Sequence, residues 1–159
     1  LAHIPKWAFA VYRARYPSAS EPFIVGQTLQ IEAADTVTSA PELVRMTLNL
    51  AMTHTDATRS VYGKRLVYGG HTISIASKQL TMGLPHILQI LAWYHCDHVG
   101  PVFEGDILSS QITINEIHKV QDATVAKLSV EVFAKRGPEA PPELTDARVL
   151  DWSLAVLLP

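Results

Sequence analysis

What this chain lacks narrows its function before any motif is read. Of its 159 residues only Cys96 is a cysteine. No disulfide can therefore form within the chain, and there is no CxxC zinc or redox pair. Charged residues are 18% of the sequence and sum to a formal net charge of −2. Without a basic excess, nucleic acid is not an expected partner. No apolar run reaches the ~18 residues that a membrane span needs, since the stretch 84–93 is interrupted by His86 and Gln89, so no membrane partner is expected either. The amino end has no charged-then-apolar leader pattern, and no internal repeat or second-domain linker is visible. One reduced thiol and no leader fit a cytoplasmic protein.

What is present suits one domain with a short arm. Hydrophobic residues are 48% of the chain, and a chain of this size buries roughly 70% of its unfolded surface without needing staples. Residues 1–21 form the arm. Apolar positions 4, 7/8, 11/12 and 16 fit a short helix that Pro17 and Ser18–Ser20 end, lying on the domain or on a neighbour. Residues 22–159 form the domain. Within it, 23–31 reads as a strand bent at Gly26, and 33–49 as a helix capped by Asp35, Thr36 or Thr38. Residues 53–65 read as a loop. The segment 69–82 is a helix, apolar on several sides and stopped by Gly83 and Pro85, which predicts that other structure wraps it. Four strands follow, over 87–95, 106–117, 124–135 and 148–158, with a Pro-rich loop at 137–146. The order predicts an α+β fold, an antiparallel sheet curled around one helix.

Chemistry concentrates in 49–71. Gly69-Gly70 at the start of a buried helix leaves backbone N–H groups free to face an anion or a polarised carbonyl. Alternatively, the glycines serve tight packing between loop and helix. His54 is a candidate general base near neutral pH, or a hydrogen-bonded loop residue. The run His95-Cys96-Asp97-His98 does not suit a metal, because alternation sends His95 and Asp97 to one face and Cys96 and His98 to the other. Trp93 and Phe103 could line an acyl tunnel or simply fill the core.

Asn49-x4-His54, then Gly63-x5-Gly69-Gly70, then Pro101-Val102-Phe103-x-Gly105-Asp106, in this order and spacing, resembles the MaoC-like hot-dog dehydratases, which include the (R)-specific enoyl-CoA hydratases. Leu66-Val67-Tyr68-Gly69-Gly70-His71 and Val149-Leu150-Asp151-Trp152 look most like the mesaconyl-CoA hydratase branch, many of whose members are double hot-dogs. The resemblance spans roughly residues 22–159. It implies a hot-dog fold, a long central helix wrapped by a bent antiparallel sheet.

The implied activity is reversible addition of water to an enoyl thioester, with coenzyme A or phosphopantetheine as substrate carrier and no other cofactor or metal. His54, Asn49 and the Gly69 backbone would be catalytic. Tyr68, Gly70 and His71 would bind substrate, and Arg59, Lys64 and Arg65 would meet phosphates or form a solvated basic loop. Asn49 stands where the (R)-hydratases keep an aspartate, and asparagine cannot take a proton in that role; Asp56 is a possible substitute. The alternatives are a non-catalytic acyl-thioester-binding half or scaffold, and a hot-dog thioesterase. The resemblance also implies pairing with a second hot-dog, as a homodimer or within one chain. A start at Leu1 and a closing strand that runs to Pro159 fit the carboxyl-terminal half of a double hot-dog, or a trimmed subunit.

Overall fold

The computed structural model describes residues 7–20 and 22–159. The first six residues of the expected arm, and position 21 at its boundary, lie outside the described residues. The described order is α1 (Phe9–Arg15), β1 (Thr28–Gln30), β2 (Asp35–Thr36), α2 (Ala40–Met46), α3 (Gly69–Gly83), β3 (Gln89–His98), β4 (Ile107–Val120), β5 (Ala123–Lys135) and β6 (Ala147–Leu158). The strands form one antiparallel sheet in the order β1-β4-β5-β6-β3, and β2 also pairs with β4. The fold is an α+β hot-dog.

Alternation sets the inner face. Leu108, Ser110, Ile112 and Ile114 on β4 and Leu128, Val130, Val132 and Ala134 on β5 are buried at every second position. On β6 the alternation disappears, and Val149–Pro159 is buried almost throughout. The reason is that both sides of the sheet are covered there. Trp152, Leu154 and Val156 belong to the main core with α3, whereas Ala155 and Leu157 join Phe9 of α1 in a second apolar cluster. The arm thus lies on this domain, tied also by Arg13 to the Asp122 carbonyl and by Tyr12 to His86.

Two expected elements are shorter than the sequence suggested. The strand over 23–31 shrinks to Thr28–Gln30, because Gly26 turns the chain with φ +86°. The helix over 33–49 shrinks to Ala40–Met46, and Asp35, Thr36 and Thr38 are not its caps. Asp35 and Thr36 pair instead with Leu108 and Ile107 of β4. The Asp35 carboxylate binds Lys78 and accepts from Gln79 Nε2 at 2.8 Å.

Gly69–Gly83 matches the expected helix, but within this chain it is not wrapped on most sides. It buries Thr72, Ala76, Gln79 and Leu80, one face at i, i+4, i+7 and i+8. Ser74, Lys78, Thr81 and Met82 stay exposed. Gln79, fully buried, is satisfied by Asp35, the Leu108 carbonyl (2.9 Å) and the Ser110 hydroxyl (2.6 Å).

Candidate functional site

Residues 66–70 organise the site. The Val67 N–H donates to the Val102 carbonyl at 2.9 Å, tying this stretch to the segment that leads into β4. On one side of that bond, the Leu66 carbonyl lies 2.9 Å from His54 Nδ1. A carbonyl can only accept, so Nδ1 carries the proton and Nε2 is left as the basic nitrogen. On the other side, Tyr68 precedes α3, and its ring centroid is 5.8 Å from that of His54. Backbone bonding at the head of α3 begins with the His71 N–H to the Tyr68 carbonyl (2.8 Å). The Gly69 and Gly70 N–H groups have no acceptor among the described residues, as expected of a first helical turn.

A cleft of about 510 Å³ joins these parts. Its lining includes Asn49, His54, Tyr68, Gly69, Gly70 and His98. The glycines serve packing as well. A Cβ on Gly70 would come 2.6 Å from the Tyr68 ring, and one on Gly69 would strike His98 Nε2. Both rings therefore close over the helix head only because these two residues lack side chains.

His98 is a cleft residue that the sequence did not single out. Alternation along 95–98 does place it opposite His95, which pairs with Asp151 (3.1 Å). Nothing local says that the strand ends beside the head of α3. Desolvation holds the His98 imidazole below the ordinary histidine range, with Asp97 opposing.

The structure separates other expected site residues from this cleft. His71 is the third residue of α3 but does not line it. Its Nδ1 is buried without a partner, and desolvation lowers its pKa against the opposing charge of Glu104. Lys64 and Arg65 face a different cleft of about 400 Å³, where Glu139 and Glu104 pair with them at 3.7 Å each. Both pairs are long and solvent-exposed, so they temper the positive charge of this loop without removing it. Arg59 is exposed on a short 3₁₀ turn, Ala57–Arg59, and lines neither cleft.

Asp56 is not a substitute acid in the pocket. It is exposed, accepts from the Thr58 N–H (2.9 Å) and hydroxyl (2.7 Å), and these bonds lower its pKa. Asn49 reaches the cleft, but its Oδ1 accepts the Ala51 N–H at 2.9 Å. Trp93 and Phe103 do not line it. Phe103 is core beneath Tyr62, and Trp93 lies half-exposed on β3 against Trp152.

The far wall is held by a buried ion pair. Asp106, with no exposed surface, accepts from the Phe103 N–H (3.0 Å), the Gly137 N–H (2.8 Å) and Arg136 Nη1 (2.8 Å). Arg136 also donates to the Pro101 and Thr145 carbonyls, each at 2.9 Å. The wall residues Pro101 and Val102 are thus anchored to the end of β5.

No family model matches the chain. It is 31% identical to mesaconyl-CoA hydratase of Cereibacter sphaeroides over 120 residues, which is 74% of this chain and 35% of that protein. It is also 31% identical to beta-methylmalyl-CoA dehydratase of Chloroflexus aurantiacus over 107 residues, 62% of this chain and 30% of that one. Among solved structures, a conserved hypothetical protein of Mycobacterium tuberculosis with a double hot-dog fold superposes with a TM-score of 0.80 at 42% identity. That superposition covers 95% of this chain and 44% of the other. The chain therefore spans about a third of the length of the curated relatives it matches.

Proposed function

The chain being a homologue of the MaoC-like hot-dog hydratases and dehydratases, we propose that it is an acyl-CoA hydratase or dehydratase domain. The reaction is reversible addition of water next to a thioester carbonyl. The observation that carries this reading is the shared cleft of His54 Nε2 and the unpaired Gly69 and Gly70 N–H groups. As water is added or removed, negative charge gathers on the thioester oxygen in an enolate-like state. Backbone donors at that oxygen are worth ~10²–10³ in rate each. His54 binds the reacting water and moves its proton, a contribution of ~10²–10⁴. Asn49 shapes the loop that carries His54 and cannot itself accept a proton. Coenzyme A or a phosphopantetheine arm carries the acyl group.

A second hot-dog completes the site in this reading. Among the described residues β3 is a sheet edge that pairs with β6 alone, and it leaves Trp93 and Tyr94 more than half exposed. Met46, Leu48, Leu50 and Val61, around the His54 loop, are at least 80% exposed. Open strand edges and clustered apolar side chains call for cover. Among the described residues no helix is long and apolar enough to cross a membrane.

The test offers mesaconyl-CoA and straight-chain enoyl-CoAs to the protein expressed at its natural length. It follows loss of the enoyl-thioester absorbance and a mass gain of one water. Turnover is expected, with a folded His54→Ala variant slower by ~10² or more. Undiminished turnover by that variant would refute the assignment. The tied-up amide of Asn49 favours one other reading, a non-catalytic half that binds the thioester. Tight binding without turnover, with activity appearing in Asn49→Asp, would select it.

A further inference from the structure

Adding or removing water moves two protons, one on oxygen and one on the carbon next to the thioester carbonyl. A cleft built for this reaction needs a carrier for each. Of the described side chains that line it, only His54, Tyr68 and His98 carry a titratable proton. Asn49 carries none, and Asp56 is spent outside the cleft on Thr58. A phenol holds its proton too tightly to serve as a base at neutral pH. Among the described residues of this chain, this leaves His98 beside His54.

The position of His98 fits the carbon rather than the oxygen. Its Nε2 end is turned onto Gly69, the residue whose N–H is free to hold the thioester oxygen. The α-carbon of a thioester lies two bonds from that oxygen, so a base seated on Gly69 is next to the α-proton. The His54 ring stands beside Tyr68, with the ring centroids 5.8 Å apart. The His98 ring is carried by the last residue of β3, Gln89–His98. Desolvation lowers the pKa of this ring from the ordinary histidine value, and Asp97 opposes that shift.

We propose that His98 is a second catalytic histidine, the group that exchanges the α-proton of the bound thioester. The inference rests on the hydratase reading above. In the dehydration direction, His98 Nε2 takes the α-proton as the Cα–H bond breaks. The electron pair moves into the thioester, whose oxygen is held by the Gly69 and Gly70 N–H groups. The β-carbon–oxygen bond then breaks as protonated His54 gives its Nε2 proton to the leaving hydroxyl, which departs as water. His98 returns its proton to solvent and His54 takes one up, so the cycle balances. Hydration is the reverse.

The α-proton can be followed alone. A saturated acyl-CoA such as butyryl-CoA has no β-hydroxyl to lose, so deuterium enters its α-position from D₂O only through the enolate. Mass spectrometry should show incorporation by the unsubstituted protein at its natural length. His98→Gln should cut incorporation at least ~10²-fold, whereas His54→Gln should keep it within a few-fold; both should lose hydration. His98→Asn, checked for an unchanged unfolding midpoint, should behave as His98→Gln does. Incorporation at the original rate by both His98 variants, in a protein that still hydrates enoyl-CoA, would overturn the proposal and leave the hydratase reading standing. An unsubstituted protein that neither hydrates nor exchanges would overturn both.

Discussion

Replacing Asp106 by alanine strands the Arg136 guanidinium in a site that is only 9% exposed. It also removes the acceptor of the Phe103 and Gly137 N–H groups. Deleting one partner of a buried pair costs ~3–5 kcal/mol. Each orphaned buried donor could add ~1–3 kcal/mol if nothing relaxed. These losses share one network and do not sum, and Arg136 keeps its bonds to Pro101 and Thr145. A total of ~4 kcal/mol is therefore expected, against the ~5–15 kcal/mol of a whole domain. With a urea slope of ~2 kcal/mol per molar, the unfolding midpoint should fall by ~2 M at an unchanged slope. The double variant Asp106→Leu/Arg136→Leu, which removes both charges at once, should recover at least half of that loss. A fall worth less than ~1 kcal/mol for Asp106→Ala, or a double variant no better than the single, would refute the view that this pair anchors the cleft wall.

Three further outcomes follow from the geometry. Gly69→Ala should push the His98 ring off the helix head and slow hydration on the order of 10²-fold, with a stability loss of only ~1–3 kcal/mol; kinetics and melting read together would contradict this if the rate held. His71 and His98 have lowered pKa values in the folded state, so the unfolded chain binds protons first on acidification. Their contribution to stability is complete above the unfolded value of about 6.5 and lost as pH falls through the folded values; urea midpoints should drop as the pH is taken below about 6.5, less so in His71→Gln. Amide hydrogen exchange should find β3 protected along its whole length once a second hot-dog pairs with its open edge; rapid exchange at alternate β3 amides would argue against that pairing.

The long strands could be read from the sequence because their alternation is local. The strands expected over 106–117 and 124–135 coincide within a few residues of each end with β4 and β5, and Gly83 and Pro85 mark the end of α3. The failure over 33–49 has a long-range cause. Asp35 looks like a helix cap until Lys78 and Gln79, more than forty residues later, claim its carboxylate. The site divides in the same way. His54 and the glycine pair stand out as residue types, but their shared cleft depends on the Val67–Val102 hydrogen bond between distant segments. The setting of the basic loop was not legible because Glu104 and Glu139, its partners, lie outside it. His98 looked like one member of an unpromising His-Cys-Asp-His run. Its only faint signal was indirect, in Gly69, a residue kept small to make room for something.

Three consecutive residues, Leu66 to Tyr68, fix the imidazole at one end and the head of α3 at the other. The two ends of the candidate site are thereby tied to one short stretch of backbone, whereas Thr72, Ile73 and Val102 line the same cleft from α3 and from the segment before β4. A shift of either end must carry the other with it, so the spacing between imidazole and helix head is held by covalent chain rather than by side-chain packing.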